Sequence, residues 1–193
     1  LARLGWSHGD DQIFSRAQFL AWFDLDHLGR SAAQFDEAKL KWVNAQHLKA
    51  MDGEALAALV AKHLSQRGLP VDDRLEGICQ LFKDRCDTTL ALADWAEKFY
   101  ADVQPSPVDL QQHVTDAVRP AVAALAAQLA QVPWSAPDIS AAFKHVLTEA
   151  GLKMPQLAMP VRVLVMGTPQ TPSVDAVLFL LGREKVLARL SGI

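Results

Sequence analysis

Apolar residues recur three and four positions apart through most of this chain, and each series follows a residue that can cap a helix. Asp36, Asp52 and Ser135 stand in such positions, as does Thr88 or its neighbour Thr89. The series after Asp52 consists of Leu56, Leu59, Val60 and Leu64. Runs of β-branched residues are scarce outside the C-terminal part, which favours helices over strands. We therefore predict an all-α fold.

One stretch does not follow this pattern clearly. From Met159 to Gly167 the sequence reads MPVRVLVMG, in which three valines alternate with other residues as they would along a strand. The proline near its start and the glycine at its end suit a short helix instead. Propensity alone favours a strand here, because valine is β-branched.

Prolines divide the helical series into parts. Two prolines in the sequence QPSP, which begins at Gln104, predict a linker and a domain boundary. Pro120 interrupts a later series and predicts a kink or a local break in that helix. The pair Thr171-Pro172 suits the cap and the first residue of another helix.

The charge of the chain is distributed unevenly. Its formal net charge is −3, which argues mildly against a nucleic acid partner, because binding to phosphates usually needs a basic surface. From Gly151 onward, however, the only acidic residues are Asp175 and Glu184, and the basic residues outnumber them. These basic residues are Lys153, Arg162, Arg183, Lys185 and Arg189. The C-terminal part is therefore compatible with a localised nucleic-acid site.

Motifs for catalysis are missing. The chain has no glycine-rich phosphate loop, no H-E-x-x-H pair and no nucleophile elbow. Its six histidines are scattered, so we expect neither catalytic residues nor a metal site. The spacing of Cys79 and Cys86 predicts reduced core thiols in a cytosolic protein. No apolar run approaches the roughly 20 residues of a membrane helix, and the sequence does not begin like a secretory signal, so neither a membrane nor secretion is expected.

The five tryptophans are candidates for base stacking, because proteins that read single-stranded RNA use aromatic faces. Trp42 and Trp95, however, fall on apolar helical series, where large aromatic residues usually belong to the core. We predict that both are core residues, and we assign a base to none of the five.

The segment from Arg162 to Val174 is the best candidate in the sequence for a nucleotide-binding site. A helix that begins at Thr171-Pro172 presents free backbone N–H groups and a partial positive charge, and Arg162 lies upstream. Such a combination can bind an extruded nucleotide. Because Thr-Pro caps are common, the residues alone favour an ordinary turn between helices and leave the nucleotide site open.

Four blocks of sequence resemble a known family. They are LARLGWS at the start, FDEAKLKWVNAQHL from Phe35, LFKDRCDTTLALA from Leu81 and MPVRVLVMGTPQTPSVDAVLFLLGREKVLARL from Met159. In this order and at this spacing they resemble the part of bacterial glutamyl-tRNA synthetases, which are class I aminoacyl-tRNA synthetases, that follows the catalytic domain. The resemblance spans essentially the whole chain.

The resemblance implies a helical stem-contact remnant at residues 1–50, followed by two helical anticodon-binding subdomains at 51–104 and 105–193. It also implies a helix at residues 159–167. In this family the full-length enzyme ligates glutamate to tRNA(Glu) with ATP, and its HIGH-like and KMSKS-like motifs are absent here. The resemblance thus implies a chain that is inactive alone and holds no cofactor, with ATP and magnesium bound by the missing catalytic domain.

The resemblance also implies where the anticodon is read. Arg85 in DRCDTTL matches the arginine that contacts the third anticodon base, although an extra threonine here can shift the register of the following helix. Arg162, Thr171, Pro172 and Val174 match the pocket for the first base. Glutamate anticodons end in cytosine, whose pairing edge offers acceptors, whereas glutamine anticodons end in guanine, which offers donors there. An arginine has only donors, so it satisfies cytosine.

The partner implied by the resemblance is tRNA(Glu), with neither DNA nor a membrane, and the chain is expected to be a cytoplasmic monomer. The alternative that composition favours is a helical protein-interaction scaffold. Such a scaffold would associate with its partner independently of salt and would expose an apolar groove.

Overall fold

The structure is a computed structural model that describes residues 5–29 and 34–192. Within these ranges the chain forms α-helices and the 3₁₀ turn Lys83–Arg85, and it forms no strand. The all-α prediction is therefore confirmed. The helices are α1 (Arg16–Trp22), α2 (Glu37–Ala50), α3 (Gly53–Gln66), α4 (Leu75–Phe82), α5 (Thr89–Tyr100), α6 (Pro107–His113), α7 (Arg119–Gln131), α8 (Ala136–Ala150), α9 (Met154–Met166), α10 (Val174–Leu181) and α11 (Arg183–Leu190).

Four of the helices begin at caps that the sequence predicts. The carboxylates of Asp36 and Asp52 accept hydrogen bonds from backbone N–H groups three residues later, at 3.0 and 3.2 Å. The hydroxyls of Thr88 and Ser135 accept equivalent bonds at 3.1 and 3.3 Å. Each bond satisfies a donor that the first helical turn leaves unpaired, so local sequence determines where α2, α3, α5 and α8 begin.

The predicted cap at Thr171 is wrong. Helix α10 begins at Val174, and Ser173 is its N-cap residue. The Thr171 side chain is buried, and its hydroxyl donates to the carbonyl of Pro172 at 3.0 Å. The buried Thr171 side chain does not cap the helix, and Pro172 lies before α10 and not in its first turn.

Helix α9 runs through the stretch whose valines favoured a strand, so that prediction from propensity is wrong. The helix implied by the family resemblance is confirmed. Pro155 lies in its first turn, where the missing N–H costs nothing, and Pro160 lies inside it. Most of the helix surface is buried, including Val161, Val163 and Val165. Packing from several sides decides the conformation of these side chains and overrides their strand propensity.

The prolines elsewhere mark helix starts. Pro107 is in the first turn of α6, behind the cap Ser106, whose hydroxyl accepts the N–H of Asp109 at 3.1 Å. Pro120 lies in the first turn of α7, and α6 has already ended at His113, so the predicted break is confirmed.

Buried apolar side chains on both sides of residues 104–107 form one continuous core. Helices α3, α4 and α5 pack together before this linker, and α7 to α11 pack together after it. Arg74 joins the two sides, because its guanidinium donates to the carbonyls of Leu180 and Leu181 at 3.0 and 3.1 Å. The division into subdomains at 51–104 and 105–193 stays a prediction, and the two sides are in direct contact.

Two tryptophans predicted for the core behave differently. Trp95 packs against the core and stacks on Phe82 with ring centroids 5.0 Å apart, in keeping with its prediction. Trp42 is 47 % exposed, so its prediction is wrong. It lies on α2, of which only Leu48 is buried, and that helix therefore sits at the edge of the core.

Candidate nucleic-acid interface

The turn formed by Thr171 and Pro172 receives two arginines from distant parts of the chain. The Nη2 atom of Arg85 donates to the Thr171 carbonyl at 3.3 Å, across a separation of 86 residues. The Nη2 atom of Arg162 donates to the Pro172 carbonyl at 3.2 Å. The two regions that the family resemblance assigns to separate anticodon bases therefore meet at one backbone turn.

Arg85 reaches this turn from the junction of α4 and α5. It is the last residue of the Lys83–Arg85 turn and is exposed, whereas the next residue, Cys86, is buried in the core. Thr88 then caps α5. The buried thiol and the cap hold the backbone on one side of Arg85, and its guanidinium keeps N–H groups free for a ligand.

Arg162 is held more deeply. It lies inside α9 with a half-buried side chain, and its Nε atom is buried without a hydrogen-bond partner in the described structure. Burial, and after it the nearby charge of Arg85, lowers the pKa of the Arg162 guanidinium. Neither arginine forms an ion pair with a carboxylate in the part of the chain that the structure describes. Two adjacent cations without a carboxylate suit a ligand that offers hydrogen-bond acceptors.

Thr171 and Val174 support the turn from inside. Both residues are buried, and the Thr171 hydroxyl is already used by the Pro172 carbonyl. Ser173 is exposed between them at the start of α10. Sequence reasoning missed Ser173, although serine is among the preferred N-cap residues and directly precedes the apolar series of α10.

A cavity of about 480 Å³ opens beside Arg162. Its lining includes the apolar residues Phe143, Met154 and Met159 and the polar residues Ser173 and Asp175. Pockets for planar ligands typically combine apolar walls with a few polar groups that fix orientation. The cavity therefore has the mixed lining that a planar ligand needs, next to the arginine.

Residues 55–193 match the family described as the anticodon binding domain. The chain belongs to this family. It is 66% identical over 198 residues to a glutamate–tRNA ligase of Verminephrobacter eiseniae and 68% identical over 194 residues to that of Paracidovorax citrulli. Both comparisons cover 98% of this chain, but only 42% and 41% of the relatives. The chain thus spans about two fifths of the length of these curated relatives.

The fold of this anticodon-binding chain also recurs in a solved structure. A crystal structure of a glutamate tRNA ligase from Elizabethkingia meningosepticum matches it with a TM-score of 0.92 at 24% identity. The match covers 98% of this chain and 38% of that one. This structural match shows the fold alone, whereas the relatives at 66% and 68% identity confirm the resemblance to glutamyl-tRNA synthetases that the sequence blocks indicate.

Three of the basic residues near the end of this anticodon-binding chain, Arg183, Lys185 and Arg189, donate to backbone carbonyls of the fold. Arg183 donates to the carbonyls of Ala130 and Val132, at the C-terminal end of α7. Lys185 donates to the carbonyls of Phe99 and Tyr100, at the end of α5. Their charges are therefore used inside the fold, where they offset the partial negative charge of helix C-termini.

Arg189 shows the same arrangement most fully. One of its terminal nitrogens donates to the carbonyl of Val165 in α9. The other donates to the carbonyls of Lys98 in α5 and of Ala101, the residue after α5, at 2.9 and 2.7 Å. Burial lowers the pKa of the Arg189 guanidinium. Three of the five basic residues from Gly151 onward thus donate to carbonyls near helix ends, Lys153 is exposed, and Arg162 lies beside the Thr171–Pro172 turn.

Other chemistry is sparse in the described residues of the anticodon-binding chain. They contain no group of three potential ligands that could hold a metal ion. None of their helices is both long and apolar enough to cross a membrane. Cys79 and Cys86 are free and buried as predicted, and burial raises the pKa of their thiols to about 12 and about 11. Both thiols are therefore protonated and unreactive at neutral pH.

Proposed function

We propose that this chain reads the anticodon of tRNA(Glu), with Arg85 at the third base and the turn next to Arg162 at the first. The observation that carries the proposal is the convergence of both guanidinium groups on the Thr171–Pro172 turn without a carboxylate partner. The cavity of about 480 Å³ beside Arg162, with its mixed apolar and polar lining, supports the binding of a base there. Membership of the anticodon-binding family supports the same assignment.

The proposed discrimination follows from hydrogen-bond chemistry. The pairing edge of cytosine presents two acceptors, so the donors of Arg85 bond to it. Guanine presents two N–H donors and only one acceptor, O6, at that edge, so the guanidinium loses an acceptor and faces donors. A well-formed arginine contact of this type is worth about 1–3 kcal/mol of discrimination between bases. Arg85 would therefore separate anticodons that end in cytosine from those that end in guanine.

The larger activity is also a proposal. The relatives are glutamate–tRNA ligases that extend well beyond this chain, so we propose that the whole protein ligates glutamate to tRNA(Glu) in the cytoplasm. ATP and magnesium would be bound by the part outside this chain. The chain itself would be a monomer that binds tRNA weakly, because its net charge of −3 gives little non-specific attraction to phosphates.

The test is a titration of the chain with two RNA hairpins that differ only in the third anticodon base, cytosine or guanine. We expect the cytosine hairpin to bind about tenfold more tightly, and Arg85→Ala to remove this preference. Arg119, an exposed arginine at the start of α7, provides the matched control Arg119→Ala. Equal binding of both hairpins by the unmodified chain would contradict the proposal.

One observation favours the alternative of a protein-interaction scaffold. Phe35, Leu40 and Trp42 are 58 %, 52 % and 47 % exposed in and just before α2, so this region presents apolar surface to solvent. The two functions respond differently to salt. RNA binding through phosphates weakens as salt rises, whereas association through an apolar surface does not. Salt-independent binding of a protein, together with no preference between the hairpins, would favour the scaffold.

A further inference from the structure

Helix α2 contacts the Lys83–Arg85 turn, although the two are far apart in the sequence. The contact includes one specific hydrogen bond: the Nδ2 atom of Asn44 donates to the backbone carbonyl of Asp87, 43 residues away. Asp87 lies between the turn and Thr88, the cap of α5, so its carbonyl is outside both neighbouring helices. The amide of Asn44 therefore holds the short backbone link that carries Arg85.

Few other bonds restrain this link. Within it, the backbone N–H of Cys86 donates to the carbonyl of Lys83 at 3.3 Å, and Thr88 caps the next helix. Lys41 lies one helical turn before Asn44, and its pKa is raised mainly by Glu37, with a smaller effect from the Asp87 carboxylate. These contacts place α2 directly beside the segment that precedes α5.

Three distant segments therefore meet around Arg85. Its own turn supplies the guanidinium, Thr171 supplies the carbonyl that the guanidinium contacts, and Asn44 holds the backbone two residues after it. An exposed arginine has many accessible rotamers, so its discrimination between bases depends on how well its backbone and its far end are fixed. Asn44 holds the backbone that follows Arg85, and the Thr171 carbonyl holds the far end of the Arg85 side chain.

We propose that Asn44 is a positioning residue for Arg85, and that its bond to the Asp87 carbonyl sets the selectivity of the chain for the third anticodon base. This inference rests on the proposed function of Arg85. Asn44 itself touches no base in this scheme. It acts by keeping the link between α4 and α5 in the one conformation from which Arg85 reaches its ligand.

The experiment compares the chain with Asn44→Ala and Asn44→Asp, each titrated with the cytosine and guanine hairpins. Alanine lacks the donor, and aspartate offers only acceptors to an acceptor carbonyl. We expect both variants to lower the preference for cytosine about fivefold, the effect of one typical hydrogen bond. Because Asn44 is exposed, we expect the melting temperature to stay within a few degrees of the unmodified chain.

A double-mutant cycle separates positioning from direct contact. If Asn44 acts only through Arg85, adding Asn44→Ala to Arg85→Ala changes nothing further. The control is Gln46→Ala, which removes a half-buried amide of the same helix that makes no side-chain hydrogen bond in the described structure. We expect the control to keep the full preference for the cytosine hairpin.

Three results would overturn the inference. If Arg85→Ala removes the preference and Asn44→Ala keeps it, only the role of Asn44 is lost. If Asn44→Ala weakens both hairpins equally, and does so again in the Arg85→Ala background, Asn44 contacts RNA directly and does not position Arg85. If Arg85→Ala leaves the preference intact, the proposed function fails and the inference fails with it.

Discussion

Two groups of cationic side chains in this chain donate to backbone carbonyls, and they differ in where those carbonyls lie. Arg183, Lys185 and Arg189 donate to the ends of α7, α5 and α9. Arg85 and Arg162 each donate to one carbonyl of a turn outside any helix. The donors of the first group bond to carbonyls within the fold, whereas the second group has N–H groups that remain available to a ligand. Net charge along the sequence therefore does not measure the charge available to RNA.

The difference has an electrostatic reason. The last carbonyls of a helix lack intrahelical partners and carry a partial negative charge, so a cation placed there satisfies several acceptors at once. A lone turn carbonyl satisfies only one donor of a guanidinium that has five. Arg189 has three carbonyl acceptors, and Arg85 has one. Arginine therefore stabilises the fold at position 189 and remains available to bind a ligand at position 85.

Arg189→Met should produce the largest effect. It leaves carbonyls of α5 and α9 without their donor, and we expect the free energy of unfolding to fall by about 3 kcal/mol. Chemical denaturation measures it. Lys144→Met is the matched control, since Lys144 is exposed and we expect a change within about 0.5 kcal/mol. If folded Arg189→Met lost RNA binding without losing stability, Arg189 would act in recognition and not in the fold.

Lys185→Met should have a smaller effect of the same kind. Lys185 is half-buried and donates to the carbonyls of Phe99 and Tyr100 at 2.6 and 3.4 Å. We expect a loss of about 2 kcal/mol in the free energy of unfolding, because one charged donor leaves a helix end. The preference between the two hairpins should not change in the folded variant. An altered preference would show that the tail also contributes to recognition.

A double-mutant cycle on Arg85 and Arg162 tests the second group, whose guanidinium groups donate to the Thr171–Pro172 turn. Both side chains hold the same turn, so their effects on the affinity for the cytosine hairpin should not add. We expect a coupling free energy of about 1 kcal/mol from titrations of Arg85→Ala, Arg162→Ala and the double variant. If the two effects add within about 0.3 kcal/mol, the arginines read their bases independently.

Local sequence predicted the helical class and four helix starts because the interactions that form them are local. Asp36, Asp52, Thr88 and Ser135 cap helices through bonds that span three residues, so no distant contact is needed. The predictions failed where a distant neighbour decides the outcome. The sequence predicts that Thr171 caps a helix, but its side chain is buried and its carbonyl accepts a hydrogen bond from Arg85, 86 residues away.

Two further predictions failed for related reasons. The valines of α9 favour a strand by propensity, yet the helix is surrounded by packing that accepts them. Trp42 follows the apolar series of α2, but that helix lies at the edge of the core and leaves it exposed. In both cases the surrounding helices decide the outcome, and the sequence pattern alone does not show where those helices lie.

The sequence by itself determined the helical class of this chain, the starts of four of its helices and its resemblance to a family, and it predicts the residues that contact the anticodon. Tertiary structure alone decided that Arg85 and Arg162 meet at one turn, that Asn44 reaches Asp87, and that three basic residues near the end of the chain donate to carbonyls of the fold. The physical reason is range: a cap or an apolar series is formed by residues within about one or two helical turns. A cation finds its carbonyl only after helices from distant segments have packed.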